Sequence, residues 1–124
     1  MIETALTYLP WFSLLIAFGA MGIGAFAVID PRLASVSFGI RSNESSDPYV
    51  RATGARDIFI GLAVLLIFLH GHFHLLGEVC VSIAVVSIVD ALVTWFGGTR
   101  RHSLFHIGGT IAIVAYGLLL IFAF

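Results

Sequence analysis

Arg56 and Asp57 stand side by side in a stretch, residues 48–69, that is otherwise apolar enough to cross a bilayer. A charge in hydrocarbon is expensive, so an intramembrane charge normally faces the protein interior, finds a partner and serves function. Asp90 and His106 lie within two further apolar stretches. One guanidinium shared by two carboxylates in a low dielectric supplies one base and one acid, and an imidazole can give or take a proton near neutral pH. That set suits proton abstraction and return on a lipophilic molecule. The expected roles are Asp57 and Asp90 as the acid/base pair, Arg56 as electrostatic organiser, and His106 as a second acid/base or hydrogen-bond donor. The competing reading of the same residues is an Arg56–Asp90 salt bridge that pins two helices, because buried ion pairs also serve packing specificity.

The elements that must position these groups follow from composition. A chain of 124 residues that is 60% hydrophobic and only 10% charged, with a mean hydropathy of +1.08, carries too much apolar surface for one soluble core, so its solvent is lipid. A hydrocarbon core of about 30 Å needs roughly 20 helical residues. Four stretches meet that length: residues 9–29, 48–69, 75–96 and 104–124. The predicted fold is all-α, a four-transmembrane-helix bundle forming one integral membrane domain over residues 1–124. Asp30-Pro31 stops the first helix, Ser46-Asp47-Pro48 starts the second, and Gly97-Gly98 ends the third. The N-terminus has Glu3 and no Lys or Arg ahead of the first span, unlike a cleavable signal peptide. A net charge of −1 and the lack of a basic tract set nucleic acid aside. All six basic residues are Arg, and Arg32, Arg41, Arg51, Arg100 and Arg101 flank the first and third connections. The positive-inside rule then puts both termini on the non-cytoplasmic side.

At 1.5 Å per residue, Arg56 and Asp57 lie about 10 Å in from the cytoplasmic start of the second helix, Asp90 about 9 Å in from the end of the third, and His106 about 5 Å into the fourth. Asp30 ends the first helix on the same side, so each helix is expected to offer a polar residue to one cytoplasm-facing pocket. The first connection, residues 31–47, begins by alternating Ala34, Val36, Phe38 and Ile40 with small polar residues. This pattern predicts an extended segment with one apolar side, either an interfacial loop or a lid. Ala20 and Gly24 in the first helix, with Gly108, Ala112, Gly109 and Gly117 in the fourth, suggest close packing of helices one and four within one chain, ahead of a homo-oligomer interface. Tyr116 is deep enough in the fourth helix to hydrogen-bond inside the bundle. Tyr8, Trp11 and Trp95 fall where an aromatic belt anchors helices.

His70, His72 and His74 alternate, and an extended backbone would turn all three imidazoles to one side, a spacing that permits Zn²⁺ or Cu²⁺. Glu78 is the only nearby carboxylate to support such ligands, and interfacial histidine is the simpler reading. No metal and no cofactor is therefore assigned. The lone Cys80 excludes an internal disulfide and reads as packing.

The string Gly54-Ala55-Arg56-Asp57-Ile58-Phe59-Ile60-Gly61, preceded by Pro31 and Phe38-Gly39-Ile40, resembles the small four-helix membrane proteins grouped as the DUF4267 family. The resemblance spans most of the chain and implies a small integral membrane protein; it implies no reaction. Two function classes follow from the residues. One is a membrane-embedded enzyme without a cofactor, performing isomerisation, hydration or cyclisation on a lipophilic small molecule. The other is a small proton-coupled transporter, which at this length would have to work as a dimer. An accessory subunit with a structural Arg-Asp clamp is the third. The enzyme is the preferred expectation, because the charges lie nearer one face than the midplane and the first helix carries no carboxylate within its span.

Overall fold

A computed structural model describes residues 2–124. The chain runs through α1 (Ile2–Tyr8), a 3-10 turn at Leu9–Trp11, α2 (Phe12–Ile29), α3 (Pro31–Ser37), α4 (Asp47–Leu69), α5 (Phe73–Gly97) and α6 (Arg100–Ala123). Four spans, Leu6–Ile29, Asp47–Leu69, Phe73–Gly97 and Arg100–Ala123, are long and apolar enough to cross a membrane, which makes this an integral, multi-pass membrane protein in contact with lipid. Among the described residues there is no strand, only one isolated antiparallel bridge between Ile40 and Gly98. The first span starts earlier than expected. Pro10 lacks an amide proton, so the ladder tightens to a 3-10 step there instead of ending.

The start of the first connection is helical, contrary to the extended reading. Asp30 accepts a hydrogen bond from the Leu33 amide at 3.0 Å and Pro31 occupies the first helical position, so the pair that ends α2 also nucleates α3. Pro31, Ala34 and Ser35 are the buried positions of α3, a helical spacing that the period-two reading of Ala34, Val36 and Phe38 obscured. Asp30 is consequently spent as a cap and does not reach the shared pocket.

Packing follows sequence neighbours. α2 packs along α4, and α5 along α6, whereas α4 and α5 meet far less. The expected pairing of helices one and four along their lengths is not what forms. In each antiparallel pair small residues recur every seven positions, the spacing that keeps one seam facing the partner. On α2 and α4, Ala17 faces Gly61 and Gly24 faces Gly54, and a Cβ on Gly54 would come within 2.5 Å of the Gly24 carbonyl oxygen. On α5 and α6, Gly77 faces Gly117, with a Cβ on Gly77 landing 2.6 Å from the Gly117 carbonyl oxygen. Two heptads along, Ser103 Oγ donates to the Ala91 carbonyl at 2.8 Å, and the same register puts Ala84 opposite Thr110. Such close backbone approach is the usual basis of helix association where lipid removes the hydrophobic drive. Gly108 and Gly109 face open space.

The two hairpins are tied at both ends. At one end the Tyr116 hydroxyl donates to the Leu9 carbonyl at 3.0 Å and lies 2.6 Å from Ser13 Oγ, so its oxygen is left to accept from the serine. This does join the first and fourth spans, at a single point. Around it sits the buried cluster of Ala17, Val64, Leu76 and Leu120. At the other end the five flanking arginines gather. Arg51 donates to the Val28 carbonyl, placing a cation at the negative end of α2, and Arg100 stacks over Trp95, 4.9 Å from its ring centroid.

The seam is open to a direct check. Gly54→Leu forces backbone apart on both sides of the α2–α4 contact and is expected to lower stability by about 3 kcal/mol or more, read as unfolding in mixed detergent–SDS micelles. Gly108→Leu, on an open face, is expected to change stability by less than about 0.5 kcal/mol. Equal loss in the two variants would contradict the seam.

Candidate functional site

Arg56 and Asp57 lie on the face of α4 turned toward α5, less than one turn from where Gly54 locks α4 against α2. The guanidinium reaches across to Asp90 with both terminal nitrogens, Nη1 to Oδ1 at 3.3 Å and Nη2 to Oδ2 at 3.2 Å. Its Nε donates to Asp57 Oδ1 at 2.9 Å, and Nη2 lies 2.9 Å from the same oxygen. One cation therefore holds a carboxylate from each hairpin, in the two-pronged geometry that arginine provides and lysine does not.

The two carboxylates are not equivalent. Both oxygens of Asp90 are engaged by Arg56, and its backbone carbonyl accepts from the Thr94 hydroxyl, so Asp90 is an anchor. Asp57 is the more buried of the two, yet among the described residues its Oδ2 accepts no hydrogen bond. His106 comes from α6 and lines the same cavity as Asp57. Neither of its ring nitrogens has a hydrogen-bond partner among the described residues, while its backbone carbonyl is bound by Thr110 Oγ1 at 2.8 Å.

These four side chains line one cavity of about 390 Å³ between the hairpins, within the range that holds small organic ligands. Its walls are otherwise largely apolar: Leu15, Ile16, Ala20 and Ile23 from α2, Ile60 from α4, and Ile83, Val86 and Val93 from α5. Thus Arg56, Asp57, Asp90 and His106, singled out in the sequence as polar groups of the spans that share one depth, are brought together. Asp30 is not among them. Three polar lining residues were missed: Thr53, Ser87 and Thr94. The signal was present for two of them, because Ser87 and Thr94 stand three residues before and four after Asp90, on the same helical stripe. The hydroxyls of Thr53 and Thr94 turn back onto carbonyls of their own helices, as such residues commonly do. Ser87 Oγ has no partner among the described residues.

The middle of the first connection, just after α3, closes one end of the cavity. Phe38 and Ile40 both line it, and between them Gly39 takes φ +79°, a left-handed conformation that favours glycine. The Gly39 carbonyl accepts from the Thr99 amide at 3.0 Å and from Thr99 Oγ1 at 3.1 Å, strapping the first hairpin to the start of α6. A Cβ on Gly39 would strike the His102 ring, 2.6 Å from Cγ. Farther along the same connection, Arg32 pairs with Glu44 at 3.1 Å and Asp47 at 3.2 Å. Hydrogen bonds to these two carboxylates, Glu44 foremost, push the Arg32 guanidinium above its usual range, so it stays charged.

The histidine run is arranged differently from the extended reading. His74 already belongs to the first turn of α5, where its Nε2 lies 3.6 Å from Glu78 Oε1. His70 Nδ1 donates to the Leu66 carbonyl at 2.7 Å, and His70 and His72 stack with centroids 6.4 Å apart. Among the described residues, no group of three His, Cys, Asp or Glu side chains is placed to hold a metal ion.

No curated protein and no solved structure matches the chain. A family does match, described as Domain of unknown function (DUF4267), over residues 17–120, a span that takes in both hairpin seams, the strap and every charged group of the cavity. The chain belongs to the DUF4267 family, as the Gly54 to Gly61 string had suggested.

Proposed function

We propose that the protein is a membrane-embedded enzyme that moves a proton on a lipophilic small molecule. The observation that carries this reading is the free Oδ2 of Asp57, a carboxylate held in place by Arg56 at the wall of an apolar cavity, with an unpartnered imidazole nearby. A base needs a fixed position and an unoccupied lone pair before it needs anything else. In the proposed cycle Asp57 Oδ2 takes a proton from one atom of the bound molecule and returns it at another, while the neutral imidazole of His106 hydrogen-bonds the atom that gains charge between the two steps. Asp57 thereby ends each cycle as the carboxylate it began as, with no net proton gained or lost by the site. No electron is gained or lost, so isomerisation, hydration and cyclisation all balance. Arg56 keeps Asp57 oriented, and Asp90 keeps Arg56 oriented.

The five arginines gathered near the strap favour placing that end, and the cavity with it, toward the cytoplasm. This sidedness has its own check. A single cysteine at Asn43, in a Cys80→Ser background, is expected to react with an impermeant maleimide only after the cells are opened; labelling of intact cells would reverse the topology.

A second reading rests on the same guanidinium. α4 and α5 touch sparsely, so the Arg56–Asp90 pair is a large part of what joins the hairpins at this depth, and a purely structural clamp would look the same there. The two carboxylates separate the readings. Asp90→Asn is expected to cost stability, about 2 kcal/mol, because it weakens charge-assisted bonds across the hairpins. Asp57→Asn is expected to leave the fold intact and remove the chemistry. The readout is solvent deuterium: the purified protein is incubated with a lipophilic metabolite extract in D₂O, and mass spectrometry finds molecules that gain deuterium or change mass. Wild type is expected to produce such a species, and Asp57→Asn to slow it by about 100-fold or more. A labelled species that persists unchanged in Asp57→Asn, or no species in wild type, would sink the enzyme reading and leave the clamp.

A further inference from the structure

The groups left free in the cavity define what a ligand must offer. Arg56 is a poor receptor for an anion, because four of its five N–H groups are directed at Asp57 and Asp90 and the fifth, on Nη1, lies beside those two carboxylates. Two carboxylates against one guanidinium also leave the cavity with a surplus negative charge when His106 is neutral. Among the described residues, the unpartnered polar groups of the cavity are Asp57 Oδ2, Ser87 Oγ, the ring nitrogens of His106 and one N–H of Arg56 Nη1. A charged Asp57 only accepts; a serine hydroxyl and a neutral imidazole both donate and accept.

A ligand head that matches this set must itself donate and accept. A carboxylate or phosphate only accepts, and it would meet Asp57 as a like charge in a low dielectric. An ammonium donates to Asp57, Ser87 and His106 alike, but it leaves the serine O–H and imidazole N–H without an acceptor, and it would sit beside the Arg56 guanidinium. A hydroxyl or enol satisfies both sides. We infer that the cavity selects a lipophilic molecule whose polar end is a neutral hydroxyl or enol, bound with its O–H toward Asp57 and its oxygen toward Ser87 or His106. This rests on the reading of the cavity as the site for a lipophilic substrate, and it adds the head group.

Gly19 supplies a way to test the cavity apart from its charges. It lines the cavity from α2, and a Cβ there would meet nothing within 4 Å, so Gly19→Trp fills the space without forcing backbone apart. The probes are 2-naphthalenemethanol, 2-naphthylmethylamine and 2-naphthoate at pH 7.4, one neutral, one cationic and one anionic on the same apolar body. Each is equilibrated with the full chain in nanodiscs, and partition into empty nanodiscs of the same lipid is subtracted. The alcohol is expected to bind once per chain, at least about tenfold more tightly than the amine or the carboxylate. Gly19→Trp is expected to abolish that binding, and Asp57→Asn to weaken it by about tenfold. If the carboxylate or the amine binds as well as the alcohol, and Gly19→Trp still abolishes binding, the head-group assignment is wrong while the cavity reading stands. If no probe binds beyond partition, or Gly19→Trp changes nothing, the cavity reading fails and the head-group assignment fails with it.

Discussion

A guanidinium inside a membrane is tolerable only when carboxylates neutralise it at close range, and Arg56 meets that condition with one acid from each hairpin. Much else in the chain is arranged so that this is geometrically possible. Asp57 is adjacent in sequence and therefore fixed by α4 itself. Asp90 arrives from a different hairpin, so its position depends on how α5 sits against α4, and that contact is thin. The guanidinium thus has two relations to its partners, one set by local helix geometry and one by tertiary packing. Only the second can vary without unfolding a helix.

Rigidity is concentrated within the hairpins. Gly24 against Gly54, Ala17 against Gly61 and Gly77 against Gly117 bring backbones so close that no larger residue fits, and close packing of this kind transmits displacement without absorbing it. Between the hairpins the ties are discrete: Tyr116 to Leu9 and Ser13 at one end, the Gly39–Thr99 strap at the other, and Arg56–Asp90 between them. The cavity occupies the remaining space.

How much of this was legible depended on which physical signal each feature leaves in sequence. The four spans were, to within a few residues, because length and hydropathy are set by the bilayer. The gathering of Arg56, Asp57, Asp90 and His106 was too, since in an up-and-down bundle depth alone fixes which residues share a level. The helix α3 was hidden because Asp30-Pro31 both stops one helix and caps the next, so two signals share the same residues. The pairing of helices was missed for a different reason. Four-residue spacings such as Ala20 to Gly24 and Gly108 to Ala112 drew attention, whereas the seams use spacings of seven, Ala17 to Gly24 and Gly54 to Gly61. That Asp57 and not Asp90 keeps a free oxygen among the described residues was beyond reach, for it depends on side-chain rotamers and on which way Arg56 turns.

The seams also explain why a cavity exists at all in so small a protein. Gly24, Gly54, Gly61, Gly77 and Gly117, the glycines that permit close approach, are committed within one hairpin or the other. The surfaces that the hairpins turn toward each other carry branched side chains, Ile16 and Ile23 on one side and Ile83, Val86 and Val93 on the other. Branched side chains hold helix axes apart, and a gap lined by them stays open to an apolar occupant while offering water few partners. The charged cluster is the exception placed at the wall of that gap. Because Arg56 and Asp57 belong to one hairpin and Asp90 and His106 to the other, neither half contains the site by itself, and the cavity lies along the sparse contact between α4 and α5.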